Sequence, residues 1–194
     1  MLEQTAFLHL LVTLTSFSGR PGFAVGFMEA LREKVVLRKL ARGTVLLERG
    51  KRQQVVWFVH SGTVKELSAS GDGGERVSWF WFASDFVFSF PGFFAQEPAL
   101  SSMELVEDSV LLELSFAGLM ELKEEFGELG LLVEKIRSRA ERERALHAGD
   151  LVGLSARERF RKFFGLHKGL FNVARHKDIA SFLGIRDDGF HRYW

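Results

Sequence analysis

Between Val35 and Leu114 the chain is cut into short β-rich runs by glycine-bearing turns, and this segmentation constrains its fold more than any other feature. The runs are Thr44–Leu47, Val55–His60, Thr63–Leu67, Arg76–Phe82, Met103–Val106 and Val110–Leu114. Arg49-Gly50, Ser61-Gly62, Ser70 to Gly74 and Phe90-Pro91-Gly92 separate them. Strands this short at this spacing predict an antiparallel β-barrel or jelly roll. The glycines of Gly71–Gly74 supply the positive φ values of a hairpin loop. They lack the Lys-Ser/Thr and the following helix that a phosphate loop needs.

The flanks read differently. Residues 3–14 and 23–34 have helical character and are split by Ser18-Gly19-Arg20-Pro21-Gly22. After Leu114 the apolar period lengthens to that of a helix: Leu119, Leu122, Phe126, Leu129, Val133, Ile136, Ala140. One helix over about 116–147 would span about 45 Å and outreach a small barrel. Its seam of Leu129, Val133, Ile136 and Ala140 predicts a homodimer, the alternative being a helix wrapped on the barrel. Ala148-Gly149-Asp150 reads as a hinge, and Ser155-Ala156-Arg157-Glu158 as a capping box opening a helix to about Leu166. The expected class is α+β: N-terminal helices, an antiparallel β-roll and a long dimer helix over residues 1–147, then a helical domain over 150–194.

Within that last domain, His176 to Ile185 reads as the first helix and turn of a helix-turn-helix. Ile179 and Leu183 share a face, Ala180 allows a close crossing, and Gly184 suits a sharp turn of positive φ. Ile185 and Phe190 supply apolar contacts for the next helix, which would lie in a DNA major groove. From Ala156 onward there are nine Lys/Arg against four Asp/Glu, on a remainder that is slightly acidic. A basic C-terminal segment points to a polyanion.

Composition excludes several classes. The chain has no cysteine, hence no disulfide, thiolate-held cluster or cysteine nucleophile. No apolar run is long enough to span a membrane, and Met1 to Leu14 lacks the basic region and cleavage site of a signal peptide. A cytoplasmic location is the expectation. The six histidines are scattered, with only His60 in the barrel, so the clustered ligands of a cupin metal site are missing. No catalytic constellation, metal site or cofactor is expected.

The order of these elements resembles the catabolite activator/FNR (Crp/Fnr) superfamily of bacterial transcription regulators. Gly43-x-Val45-Leu46-Leu47-Glu48-x-Gly50, Phe58-Val59-x-Ser61-Gly62-x-Val64 and Glu107 to Leu114 are similar to the strands of a cyclic-nucleotide-binding β-roll. Ser155 to Phe160 and Ile179 to Ile185 are similar to the two signatures of its winged-helix part. The likeness covers residues 35 to 194 and is to the subgroup common in Bacteroidetes. It implies a dimer that binds a palindromic double-stranded operator, with a ligand in the roll biasing the DNA-binding heads.

Two departures matter. The family's phosphate cassette, a Gly-Glu-Leu and an Arg-Ser/Thr-Ala, is replaced here by Asp85 to Phe94 and Glu97 to Ser102, without arginine. Between Arg76 and Glu134 the one basic residue is Lys123, on the helix. A buried phosphate without a cation is costly, so tight cyclic AMP or cyclic GMP binding is not expected. The aromatic replacement leaves two readings open: a self-filled core, or a pocket for an apolar or aromatic small-molecule effector lined by Trp81, Phe86, Phe88, Ser89, Ser101 and Ser102. At the C-terminus, Arg186-Asp187-Asp188-Gly189-Phe190-His191-Arg192 stands where relatives show Ser-Pro-Glu-Thr-Leu-Ser-Arg, and no wing follows. The matching positions make Arg186, His191 and Arg192 the expected base or phosphate readers, with Arg175 and Lys177 on phosphates. The alternative is a ligand- or protein-binding module that has lost DNA recognition.

Overall fold

A computed structural model describes residues 1–19, 22–71, 73–186 and 190. Two helices open the chain, α1 (Leu2–Ser18) and α2 (Phe27–Lys34). The strands follow: β1 (Val35–Leu40), β2 (Val45–Leu47), β3 (Val55–Ser61), β4 (Val64–Ala69), β5 (Glu75–Trp81), β6 (Phe86–Val87), β7 (Ser101–Leu105) and β8 (Ser109–Ser115). A one-turn helix, α3 (Gly92–Ala95), sits between β6 and β7. The strands form two antiparallel four-stranded sheets, ordered β1-β8-β3-β6 and β2-β7-β4-β5, so the roll expected from the turn spacing is present. Sequence reading missed β1 and β6. β1 carries the mixed run Val35-Val36-Leu37-Arg38-Lys39-Leu40, and its pairing with β8 is what makes it a strand.

Register assigns each side chain a face, because successive strand residues alternate. Val64 stands opposite Leu105 and Trp81, and Glu66 opposite Met103 and Trp79, so these point into the roll. Lys65 pairs with Phe80 and Glu104 and points outward. On the other sheet, Phe58 opposes Leu112 and Phe86 on the face that α1 and the later helices cover. Gly62 turns β3 into β4 with φ 103°, and a Cβ there would stand 2.0 Å from Ser109 Oγ and 2.9 Å from Ser109 Cα. Only glycine fits this crossing of chains.

The long helix is two helices, a correction to the single one expected over 116–147. α4 (Phe116–Glu125) ends at Phe126, and α5 runs Glu128–Gly153. Phe126 leaves helical geometry (φ −120°, ψ 88°) and packs edge-on against Phe27 at 5.3 Å; Gly127, a poor helix former, follows. α5 also continues through Ala148-Gly149-Asp150, the expected hinge, and ends at Leu154.

The seam residues face this chain's own roll. Leu129 and Ala140 are buried, and Val133 and Ile136 are half-buried against the same core. The apolar side chains that α5 leaves outward are Leu131, Leu146 and Val152.

Three short helices follow among the described residues: α6 (Ala156–Leu166), α7 (Leu170–Val173) and α8 (His176–Phe182). The capping box forms as read: the Ser155 Oγ accepts from the Glu158 backbone N–H, and the Glu158 carboxylate accepts from Ser155 N–H. These helices bury Phe160, Phe163, Phe171, Ile179 and Phe182 in one cluster with Val77 and Phe80 of β5 and Val106, which follows β7. The C-terminal helices are thus packed on the outer face of the second sheet.

Candidate functional site

Two regions bear on the expected site residues: the C-terminal helices with the sheet beneath them, and the interior of the roll.

In the first, α8 ends in a left-handed turn. Gly184 has φ 61°, and the Ile185 N–H donates to the Ala180 carbonyl at 2.9 Å. Ile179 and Ala180 are fully buried beneath it, as the spacing predicted. The Arg159 Nε donates to the Leu183 carbonyl at 2.7 Å and ties α6 to this turn. Arg175 and Lys177, expected on phosphates, are exposed at the start of α8. They line a depression shared with Lys65, Glu75, Glu104 and Asp178. Arg186 is exposed just past the turn. His191 and Arg192 lie outside the described residues, as do Asp187 and Asp188.

α8 is held to the roll by polar contacts that sequence reading did not foresee. Lys65, outward on β4, is covered by α8 and reaches Asp178 at 3.0 Å and Glu104 at 3.1 Å. The Val77 N–H donates to Ser181 Oγ at 3.0 Å. The Phe182 ring stacks on His147 of α5 at 4.0 Å, with planes 2° apart. His167 stacks on Phe82 at 4.0 Å. Burial lowers the pKa of both histidines, so each favours its neutral form. A cleft of about 450 Å³ lies between β5, α5 and the C-terminal helices, lined by Trp79, Asp85, Arg139, His147, Lys162 and His167 among others. Burial pushes the Asp85 carboxyl up to about 6, against the hydrogen bond it accepts from the Phe82 N–H.

Of the expected effector residues, Trp81, Phe86 and Phe88 border one small cavity, and none of the three serines lines it. Phe86 and Phe88 line a void of about 70 Å³ between the first sheet and the helices, walled almost wholly by carbon, with Leu10, Phe58, Phe93, Leu122 and Ile136. Ser102 lies toward the outer face and accepts from the Arg49 N–H at 3.0 Å. Ser89 is buried beside Gln53, whose Oε1 accepts from its N–H at 2.7 Å. Trp81 and Ser101 point into the roll, where Phe88 also packs against Trp81 with ring centres 5.7 Å apart.

There they meet a buried ion pair that the sequence reading missed. Arg144 of α5 reaches into the roll and binds the Glu66 carboxylate, whose side chain is 6% exposed. The Ser101 Oγ donates to the other Glu66 oxygen at 2.8 Å. Trp79, Phe90 and Trp81 surround the guanidinium, with ring centres 4.9, 5.0 and 5.2 Å from its carbon. The signal was present: Lys65-Glu66 are adjacent in a strand, so one charge had to face inward. On α5, Arg144 and His147 continue the buried stripe of Val133, Ile136 and Ala140. An arginine on that stripe needs an anion on the surface it faces.

A roll of two four-stranded sheets, a helix laid across it and a small helical head make a fold of the cyclic-nucleotide-binding kind. Residues 37–126 match the cyclic nucleotide-binding domain family, just under half of the chain. Solved structures with this fold include FixK2 from Bradyrhizobium japonicum (TM-score 0.70, 15% identity, 82% of each chain covered). The c-di-GMP responsive global regulator CLP of Xanthomonas campestris is similar (TM-score 0.66, 18% identity, 88% of this chain and 89% of that one). So is the Thermus thermophilus catabolite activator protein (TM-score 0.57, 22% identity, 93% and 84%). A search of curated protein sequences returned no match. Residues 37–126 are thus similar to a cyclic nucleotide-binding domain, and the fold of the chain is similar to that of these solved structures. Among the described residues no helix is long and apolar enough to cross a membrane. Among the same residues no group of three or more His, Asp and Glu is placed to hold a metal ion.

Proposed function

We propose that this protein is a homodimeric, cytoplasmic DNA-binding transcription regulator of the Crp/Fnr type. The carrying observation is the α8 turn: Ile179 and Ala180 buried, Gly184 left-handed and Ile185 closing on Ala180. That is the geometry needed to launch a recognition helix across a first helix. Arg175, Lys177, Arg186 and Arg192, with His191, are the cations assigned to the nucleic acid, and a palindromic duplex operator is the partner. No catalytic role is assigned to any residue.

The sensor does not bind cyclic AMP or cyclic GMP tightly. Trp81, Phe88, Met103, Leu105 and Val64 fill its core, and its buried cation, Arg144, is already neutralised by Glu66. Micromolar binding of either nucleotide in calorimetry would contradict this. The ligand-sensitive step lies where α5 and α8 meet the roll, because that contact fixes the head. The dimer contact falls on the outward apolar residues of α5, Leu131, Leu146 and Val152.

The test is selection of genomic DNA fragments by the purified protein at two salt concentrations. Four Arg/Lys per head, doubled in a dimer, give a slope of log affinity on log salt of roughly −7. A second reading, a binding module without DNA recognition, draws on one observation: Arg175 and Lys177 share their depression with Glu75 and Glu104. It requires no enrichment even at low salt.

A further inference from the structure

The interior of the roll presents an unusual binding surface. Glu66 is nearly inaccessible, and no cation from the roll itself reaches it; its partner comes from α5, 78 residues further along the chain. Three aromatic rings present their faces to that partner at about the separation of a cation–π contact. Ser101 fixes one carboxylate oxygen and leaves the other to the guest. The Trp81 Nε1 and the Arg144 Nε are buried without a hydrogen-bond partner. Such groups are costly when a site's only purpose is stability. A hydrophobic replacement of the pair would serve stability as well.

We propose that this roll is a cage for an organic cation, a guanidinium or substituted ammonium on a short carbon chain, and that Arg144 is its built-in occupant. The ligand chemistry is the reverse of that of a cyclic phosphate: the receptor supplies the anion and the aromatic faces, and the guest supplies the positive charge. The unpartnered Trp81 Nε1 lets a guest with an acceptor oxygen or nitrogen near its cation gain a bond that Arg144 cannot make. A free cation and Arg144 compete for one carboxylate, so occupancy by the free cation unseats Arg144. Arg144 lies one turn before His147, which stacks on Phe182 of α8. Loss of Arg144 from the cage therefore loosens the face of α5 that holds the head. The regulatory meaning rests on the sensor reading above; the cage itself does not.

The experiment is chemical rescue. Arg144→Ala empties the cage of its guest and leaves Glu66 buried alone. Ethylguanidinium at millimolar concentration, with agmatine as a second probe, is added during thermal unfolding of R144A, of R144A/E66Q and of the wild type. The expected result is a rise in the midpoint of R144A, on the order of 3–6 °C at ten times the dissociation constant. The rise should be absent in R144A/E66Q and smaller in the wild type, where the tethered arginine competes at high effective concentration. Should R144A not fold alone, Arg144→Met serves, and for either variant the additive must then restore the folded circular dichroism spectrum. No rise, an equal rise in the wild type, a rise that survives Glu66→Gln, or no restoration overturns the cage. These readouts do not involve DNA, so failure of the cage and failure of the regulator reading are distinguishable.

Discussion

The contact most open to quantitative test is the one by which Asp178 holds α8 to the roll. Lys65 Nζ sits 3.0 Å from Asp178 and 3.1 Å from Glu104, with its side chain 8% exposed. Removing one partner of a buried pair typically costs about 3–5 kcal/mol, because a charge is left uncompensated. Here Asp178→Ala leaves Glu104 in place, and the loss falls to about 2–3 kcal/mol. For a chain near 200 residues that lowers the melting midpoint by roughly 4–12 °C. The second variant, Lys65→Met with Asp178→Ala, removes the half-paired cation and leaves Glu104, 28% exposed, to water; it should recover at least half of the loss, since a methionine fills the lysine stem's space beside Phe80. Urea unfolding of the wild type, both single variants and the double variant gives the coupling energy. Hydrogen exchange adds the location: amides of α8 and Val77, tied by Ser181, should lose protection before those of β8. A single-variant loss under about 0.5 kcal/mol, or a double variant equal to the sum of the singles, would refute the reasoning.

Other expectations follow from the same geometry. Gly62→Ala forces a Cβ to 2.6 Å from Ser109 Cβ at a positive φ, and should cost more than about 4 kcal/mol in urea unfolding; a loss below about 1 kcal/mol would show that the two turns separate freely. Burial holds the His147 and His167 pKa values low in the folded state, so the unfolded chain takes up protons first as the pH falls below about 6.5. Stability of an Asp85→Asn background should therefore fall from pH 7.5 to 5.5, and His147→Phe with His167→Phe should flatten that fall. In the native background Asp85 opposes the trend, since its folded pKa of about 6 adds stability as the pH drops through that value. Leu146→Asp, at a position 57% exposed, should leave the melting midpoint of the protomer nearly unchanged and yield monomers in sedimentation; an intact dimer would move the interface elsewhere.

The roll was legible because turns and strand alternation are local. Ser61-Gly62, Gly71–Gly74 and the alternating runs need only neighbouring residues to declare themselves, and all six expected runs became strands. The capping box at Ser155 and the Gly184 turn were readable for the same reason. The stripe on α5 was also legible as a stripe, and its period required that something cover it.

What covers it was decided by tertiary structure. An apolar face has no address: Leu129 and Ile136 gain the same free energy from a second copy as from the chain's own roll, because burial is non-directional. Phe126 breaking the helix against Phe27, and the roll rising to meet α5, settled the choice between partners distant in sequence. The polar contacts were hidden for a sharper reason. Glu66 and Arg144 are 78 residues apart, and Lys65 and Asp178 are 113 apart, so no local pattern pairs them. The sequence determined by itself that the chain would form a β-roll with a helical head. The three-dimensional packing alone decided which carboxylate each buried cation would meet, because a salt bridge depends on position in space and leaves no period along the chain.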